Sequence, residues 1–84
     1  MAALARTRPP APPDHLDALT GREHDILALV GTGMNNKEIA AELHLSPATT
    51  RTYVSRLLSK LNARDRAQLV VTAYRNGLVQ PGQP

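Results

Sequence analysis

The sequence predicts an all-α domain of four helices, and three observations predict it. Apolar residues recur at helical spacing in four separate stretches. Each stretch opens on a side chain suited to capping a helix: Thr20, Asn35, Ser46 and Asp65. No stretch alternates apolar and polar residues with the period of a strand.

Thr20-Gly-Arg-Glu23 has the form of a capping box, in which Thr20 accepts from the Glu23 amide and Glu23 reaches back. Glu23, Ile26, Leu27 and Val30 then share one face, and Gly31 or Gly33 ends the helix. Leu16 and Leu19 lie just ahead and can pack onto its start. Asn35-Asn-Lys-Glu38 repeats the box and opens a second helix with Ile39, Ala40 and Leu43 as its apolar face. At about two turns, that helix needs tertiary packing to persist. His44-Leu45-Ser46-Pro47 makes a turn. Ser46 is an N-cap, and Pro47 sits at the first helical position, where its missing N–H costs nothing. Thr50, Val54, Leu57, Leu58 and Leu61 form the stripe of the third helix. Asp65 caps the fourth, on which Val70, Val71 and Tyr74 can face inward, and Gly77 is placed to stop it.

Around this core, residues 1–15 read as a proline-rich flexible linker or arm, with Pro9, Pro10, Pro12 and Pro13 disfavouring helix. Residues 16–79 read as the folded domain and 80–84 as a disordered tail. A folded part of roughly 60 to 65 residues is only marginally self-sufficient and often leans on a partner. There is no cysteine, which excludes disulfides and thiolate metal sites. The longest apolar run falls far short of the roughly 18 residues that span a bilayer. The first residues lack the apolar core of a secretory signal, so a cytoplasmic protein is expected. His15, His24 and His44 are scattered, and no carboxylate pair or nucleophile–base pair stands out. Neither a metal, a cofactor nor an enzymatic activity is expected.

The net charge is only +3, but its distribution is polar. Asp14, Asp17, Glu23, Asp25, Glu38 and Glu42 gather in the first half. Arg51, Arg56, Lys60, Arg64, Arg66 and Arg75 gather in the second, opposed there by Asp65. Such polarity suits a polyanion approached from one side. The plainer reading is a solvated helix face.

The second and third patterns together have the layout of a helix-turn-helix. Its close crossing needs a small residue, and Ala40 is placed for that contact. The turn needs a residue tolerant of positive φ; that slot is His44, an uncommon but permitted choice. Leu45 plugs the corner, and Thr50 and Val54 anchor the second helix of the motif. The Thr50 hydroxyl then needs a partner, such as a backbone carbonyl one turn back.

With those anchors inward, Ala48, Arg51, Thr52, Ser55 and Ser59 face out. Short side chains let a helix settle deep in a groove. Arg51 can fork onto guanine O6 and N7, and Thr52 can touch a thymine methyl or donate a bond. Ser55 reaches a base or a phosphate one turn later. Base reading is therefore assigned to Arg51, Thr52 and Ser55. Lys37, Ser46, Thr49, Tyr53, Arg56 and Lys60 are assigned to the DNA backbone, where contacts set register. The helix N-termini at Asn35 and Ser46 also offer free N–H groups to phosphates. The competing role for Arg51 is a phosphate contact. Glu23 and Arg66 are candidates for an ion pair across helices; the alternative is two solvated charges. Leu69, Val70 and Ala73 of the last helix are candidates for core or for a dimer interface.

Several motifs in order carry a resemblance: Leu19-Thr20-x-Arg22-Glu23, Gly33-Met34-Asn35-Asn36-Lys37-Glu38-Ile39-Ala40, Leu45-Ser46 and Tyr53-Val54-Ser55-Arg56-Leu57-Leu58-Ser59-Lys60-Leu61. Over about residues 16 to 79 the chain resembles the LuxR-type domain of NarL/FixJ-type response regulators. The resemblance implies a four-helix LuxR-type helix-turn-helix bundle. Its third helix would read double-stranded DNA and its fourth would form a homodimer contact, as the output domain of a bacterial transcription regulator. It also implies base contacts at the positions of Arg51 and Thr52, with Ser55 a turn later. Thr50 stands where the family tends to carry valine, Tyr53 where histidine is common, and Ser55 where some members carry lysine. RNA polymerase is a candidate partner. An upstream receiver or sensory domain is expected to lie outside this sequence. The alternatives are a protein-interaction module on the same scaffold and a domain like region 4 of a sigma factor.

Overall fold

The computed structural model describes residues 16–79. A 3-10 turn, Leu16–Ala18, leads into four helices: α1 Gly21–Gly31, α2 Asn36–Leu43, α3 Pro47–Lys60 and α4 Arg66–Arg75. No strand occurs among the described residues, so the fold is the all-α one the sequence predicts. The expectations for residues 1–15 and 80–84 lie outside the described residues.

All four helices start by the same device. Thr20 Oγ1 accepts from the Glu23 amide at 3.2 Å, and Glu23 Oε1 accepts from the Thr20 amide at 2.9 Å. Asn35 and Glu38 exchange the same pair of bonds at 2.9 and 2.8 Å. Ser46 Oγ accepts from the Thr49 amide, and Asp65 Oδ1 from the Gln68 amide. Each cap satisfies a donor that a helix start would otherwise leave orphaned.

They also stop by one device. A residue with positive φ follows each helix: Gly33 at 97°, His44 at 57°, Asn62 at 54° and Gly77 at 75°. The amide after it reaches back five residues in every case. Met34 donates to Leu29 O, Leu45 to Ala40 O, Ala63 to Leu58 O and Leu78 to Ala73 O. This is the Schellman closure, which favours glycine because a Cβ is disfavoured in the left-handed region. Histidine and asparagine take the two slots without glycine, both being enriched there among other residues. His44 meets its expectation, and Asn62 adds the stop of α3.

Ile26, Leu27 and Val30 of α1 lie at the centre of the core, with Ile39 of α2, Val54 and Leu57 of α3, and Leu69 and Ala73 of α4 around them. The most extensive helix pair is α1 with α4. It depends on Gly31, where an added Cβ would stand 2.7 Å from Ala73 Cβ and 2.5 Å from Val79 Cγ2. Leu16 and Leu19 pack against the core as expected.

Two expectations are corrected here. Val71 and Tyr74 face outward, 53% and 43% exposed, because the inward phase of α4 is set by Leu69 and Ala73. Arg66 does not pair with Glu23. Its guanidinium donates to Asn36 Oδ1 at 2.8 Å and to the Met34 carbonyl at 2.6 Å, tying the start of α4 to the start of α2.

Candidate nucleic-acid interface

The three residues between α2 and α3, numbers 44–46, give the two helices their short connection. Ala40 is buried, and α2 packs extensively on α3. On α3, Thr50, Val54 and Leu57 point into the core and fix its rotation. The opposite side is exposed, and there Arg51, Thr52, Ser55, Arg56 and Ser59 line one shallow, open trough. The three residues assigned to base reading are thus brought together. Thr52, Ser55 and Ser59 recur at helical spacing along the trough, with an arginine to either side.

The hydrogen bonds refine what each side chain can do. Thr52 Oγ1 donates to the Ala48 carbonyl at 3.2 Å, so its own proton is engaged. What remains is a methyl group and acceptor lone pairs, suited to a thymine methyl or to the amino group of adenine or cytosine. Ser46 Oγ accepts from the Thr49 amide and donates to Thr49 Oγ1 at 2.9 Å. Ser46 is therefore occupied as a cap, while Thr49 keeps its hydroxyl proton for an outside acceptor. Lys37 is exposed in the first turn of α2. The Arg56 guanidinium lies over the Tyr53 ring, 5.6 Å from its centroid.

Lys60 departs from its assignment. Its Nζ donates to Glu23 Oε1 at 2.8 Å and to the Ala18 carbonyl at 3.3 Å. Glu23 is only 2% exposed, against 37% for the lysine side chain. The Lys60 hydrogen bond, then the Thr20 amide, hold the Glu23 carboxyl below the usual carboxylate range, against the opposing effect of burial. Lys60 thus clasps the end of α3 to the start of α1, and its ammonium is engaged inside the molecule. Local patterning could not reveal this, since the partners are 37 positions apart.

Thr50 Oγ1 is buried without a hydrogen-bond partner among the described residues, so the expected carbonyl one turn back does not receive it. On α4, Leu69 and Ala73 are wholly enclosed by the domain's own core and have no surface to offer a second copy. That corrects two of the three dimer candidates. Val70 is half-buried, and the large apolar side chains α4 exposes are Val71 and Tyr74. Among the described residues no group of three or more His, Asp or Glu side chains is placed to hold a metal ion. No described helix is long and apolar enough to cross a membrane.

Two helices joined by a three-residue turn, the second presenting arginines and hydroxyls outward, define a helix-turn-helix domain of the DNA-binding class. Comparison with known proteins makes the assignment narrower. The family described as bacterial regulatory proteins, luxR family, matches residues 17–73, and the chain belongs to that family. The response regulator protein VraR from Staphylococcus aureus, Staphylococcus saprophyticus and Staphylococcus epidermidis is in each case 44% identical over 64 residues. The match takes in 76% of this chain and 31% of each relative, so the chain spans under a third of their length.

Proposed function

We propose that this domain binds double-stranded DNA sequence-specifically as the output domain of a bacterial transcription regulator of the response-regulator type. In this reading α3 enters the major groove. The single observation that carries it is the α3 trough, where short side chains stand between Arg51 and Arg56 while Thr50, Val54 and Leu57 hold the helix from behind. Arg51 and Thr52 lie near the helix N-terminus, the part of a recognition helix that meets base edges. Ser55 follows one turn later. Lys37, Thr49 and Arg56 serve the phosphates, Tyr53 flanks them through its ring beside Arg56, and Lys60 holds α3.

A homodimer on DNA through α4 belongs to the same reading, with Val71 and Tyr74, flanked by Val70, in place of the enclosed Leu69 and Ala73. Exposed apolar side chains on a small domain's terminal helix support such a contact.

Site selection from a random duplex pool, followed by Arg51→Ala, tests the base-reading role. The substitution is expected to cost about 1–3 kcal/mol on the selected site and to relax base preference at one position. Equal losses on selected and random duplexes would move Arg51 to a phosphate. Retention of no duplex even at low ionic strength would favour the protein-interaction alternative.

A further inference from the structure

We propose that Tyr53 acts in DNA binding as a positioning residue: its ring holds the Arg56 guanidinium at the edge of the α3 trough, ready for a phosphate oxygen. This rests on the DNA-binding reading above and adds a role for the aromatic ring, as distinct from a contact by its hydroxyl.

Three observations converge on the pair. Tyr53 and Arg56 are three residues apart on α3, neighbours across one helical turn. Tyr53 is half-buried and packs against the core, which fixes the ring. Arg56 is exposed, and its Cζ lies 5.6 Å from the ring centroid, inside the range of cation–π attraction.

An exposed arginine ordinarily samples many rotamers and loses that freedom when it makes a contact. A ring held by the core removes part of the loss in advance. The same guanidinium lines the trough with Arg51, Thr52, Ser55 and Ser59, so the ring holds it on the DNA-facing side. A phosphate is the expected acceptor, because Arg56 stands more than one turn beyond Arg51 from the end of α3 that enters the groove. Stacking on the ring leaves the planar fork of N–H groups free to meet phosphate oxygens.

The test measures affinity of the full chain for its selected duplex and for mixed duplex, across a salt series. The variants are Tyr53→Phe, Tyr53→Leu, Arg56→Gln and the Tyr53→Leu/Arg56→Gln pair. Tyr53→Phe keeps the ring and is expected to retain most of the affinity that Tyr53→Leu loses. Tyr53→Leu is expected to lose about two- to fivefold, the scale of an exposed cation–π contact, equally on both duplexes. Arg56→Gln is expected to lose more and to lower the salt slope by about one phosphate. In the double variant the Tyr53→Leu loss should vanish.

If Tyr53→Phe falls as far as Tyr53→Leu, the hydroxyl is the working group and the proposal is overturned. If the two losses multiply, Tyr53 acts on folding or DNA independently of Arg56, which overturns it equally. Failure of the wild-type chain to bind any duplex overturns the DNA-binding reading and this proposal together. Binding by wild type with either of the first two outcomes overturns this proposal alone.

Discussion

The two ends of α3 bury polar groups on opposite terms. At the C-terminal end the Lys60 ammonium meets Glu23 Oε1, which also accepts the Thr20 amide. At the N-terminal end Thr50 Oγ1 is enclosed with no partner among the described residues. Charge alone would rank Glu23 as the costlier residue to bury. The arrangement reverses that order, because the cost of burying a polar atom is decided by its partners. The far end of α3 is clasped, while the end nearest Arg51 and Thr52 carries a hydroxyl with no partner among the described residues.

The largest effect should come from opening the clasp. Glu23→Ala removes the acceptor for both Lys60 and Thr20 and leaves a gap beside α1. A loss of about 1–3 kcal/mol in unfolding free energy is expected, read by denaturant titration. Lys60→Met should cost less, since the lysine side chain is over a third exposed and its loss leaves the Thr20 bond in place. If Lys60→Met instead leaves stability unchanged and lowers the salt slope of DNA binding, Lys60 is a phosphate contact and the clasp is incidental.

Acid provides a second way to open it. The folded-state pKa of Glu23 is depressed, so its contribution is present above the unfolded carboxylate value and is lost as pH falls through the folded value. The stability gap between wild type and Glu23→Gln should therefore be constant near neutrality and narrow as pH falls below about 5, where free glutamate begins to take up protons. Thermal melts of the two proteins across that range check the sign. A gap that widens with acid would place the depression in the wrong direction.

Why one end of α3 was legible in the sequence and the other was not follows from the range of the interactions. The caps at Thr20, Asn35, Ser46 and Asp65 span three residues each, and the left-handed turn at His44 is as local. Helical spacing alone assigned Thr50 and Val54 inward and Arg51, Thr52 and Ser55 outward, as the structure has them. Lys60 sits at the edge of that pattern, and only the packing angle of α1 on α3 brings Glu23 to it. The partners of Arg66 escape local patterning for the same reason, lying at the start of α2, 30 and 32 positions away. In α4 the run Leu69-Val70-Val71 supplies apolar residues in several directions, so periodicity leaves its phase open. Leu69 and Ala73 take the inward side, and Gly31 permits it by admitting Ala73 and Val79 where a larger side chain would hold them off. Asn62 carried a weak signal, an asparagine directly after the apolar stripe.

The smallest change sharpens the contrast from the other end. Thr50→Val replaces the enclosed hydroxyl with a methyl group of nearly the same volume. Helix propensity barely changes between the two. Relieving an unsatisfied buried hydroxyl is worth up to about 1–3 kcal/mol, and a gain near the lower end is expected because part of the penalty is relaxed locally. For a domain of this size, a gain of 1 kcal/mol raises Tm by roughly 4–8 °C. Base preference should not move, since Thr50 faces away from the trough. A fall in Tm would mean that the hydroxyl is satisfied in solution, by a water or by the Ser46 carbonyl. The two ends of α3 would then be alike in having every buried polar atom paired.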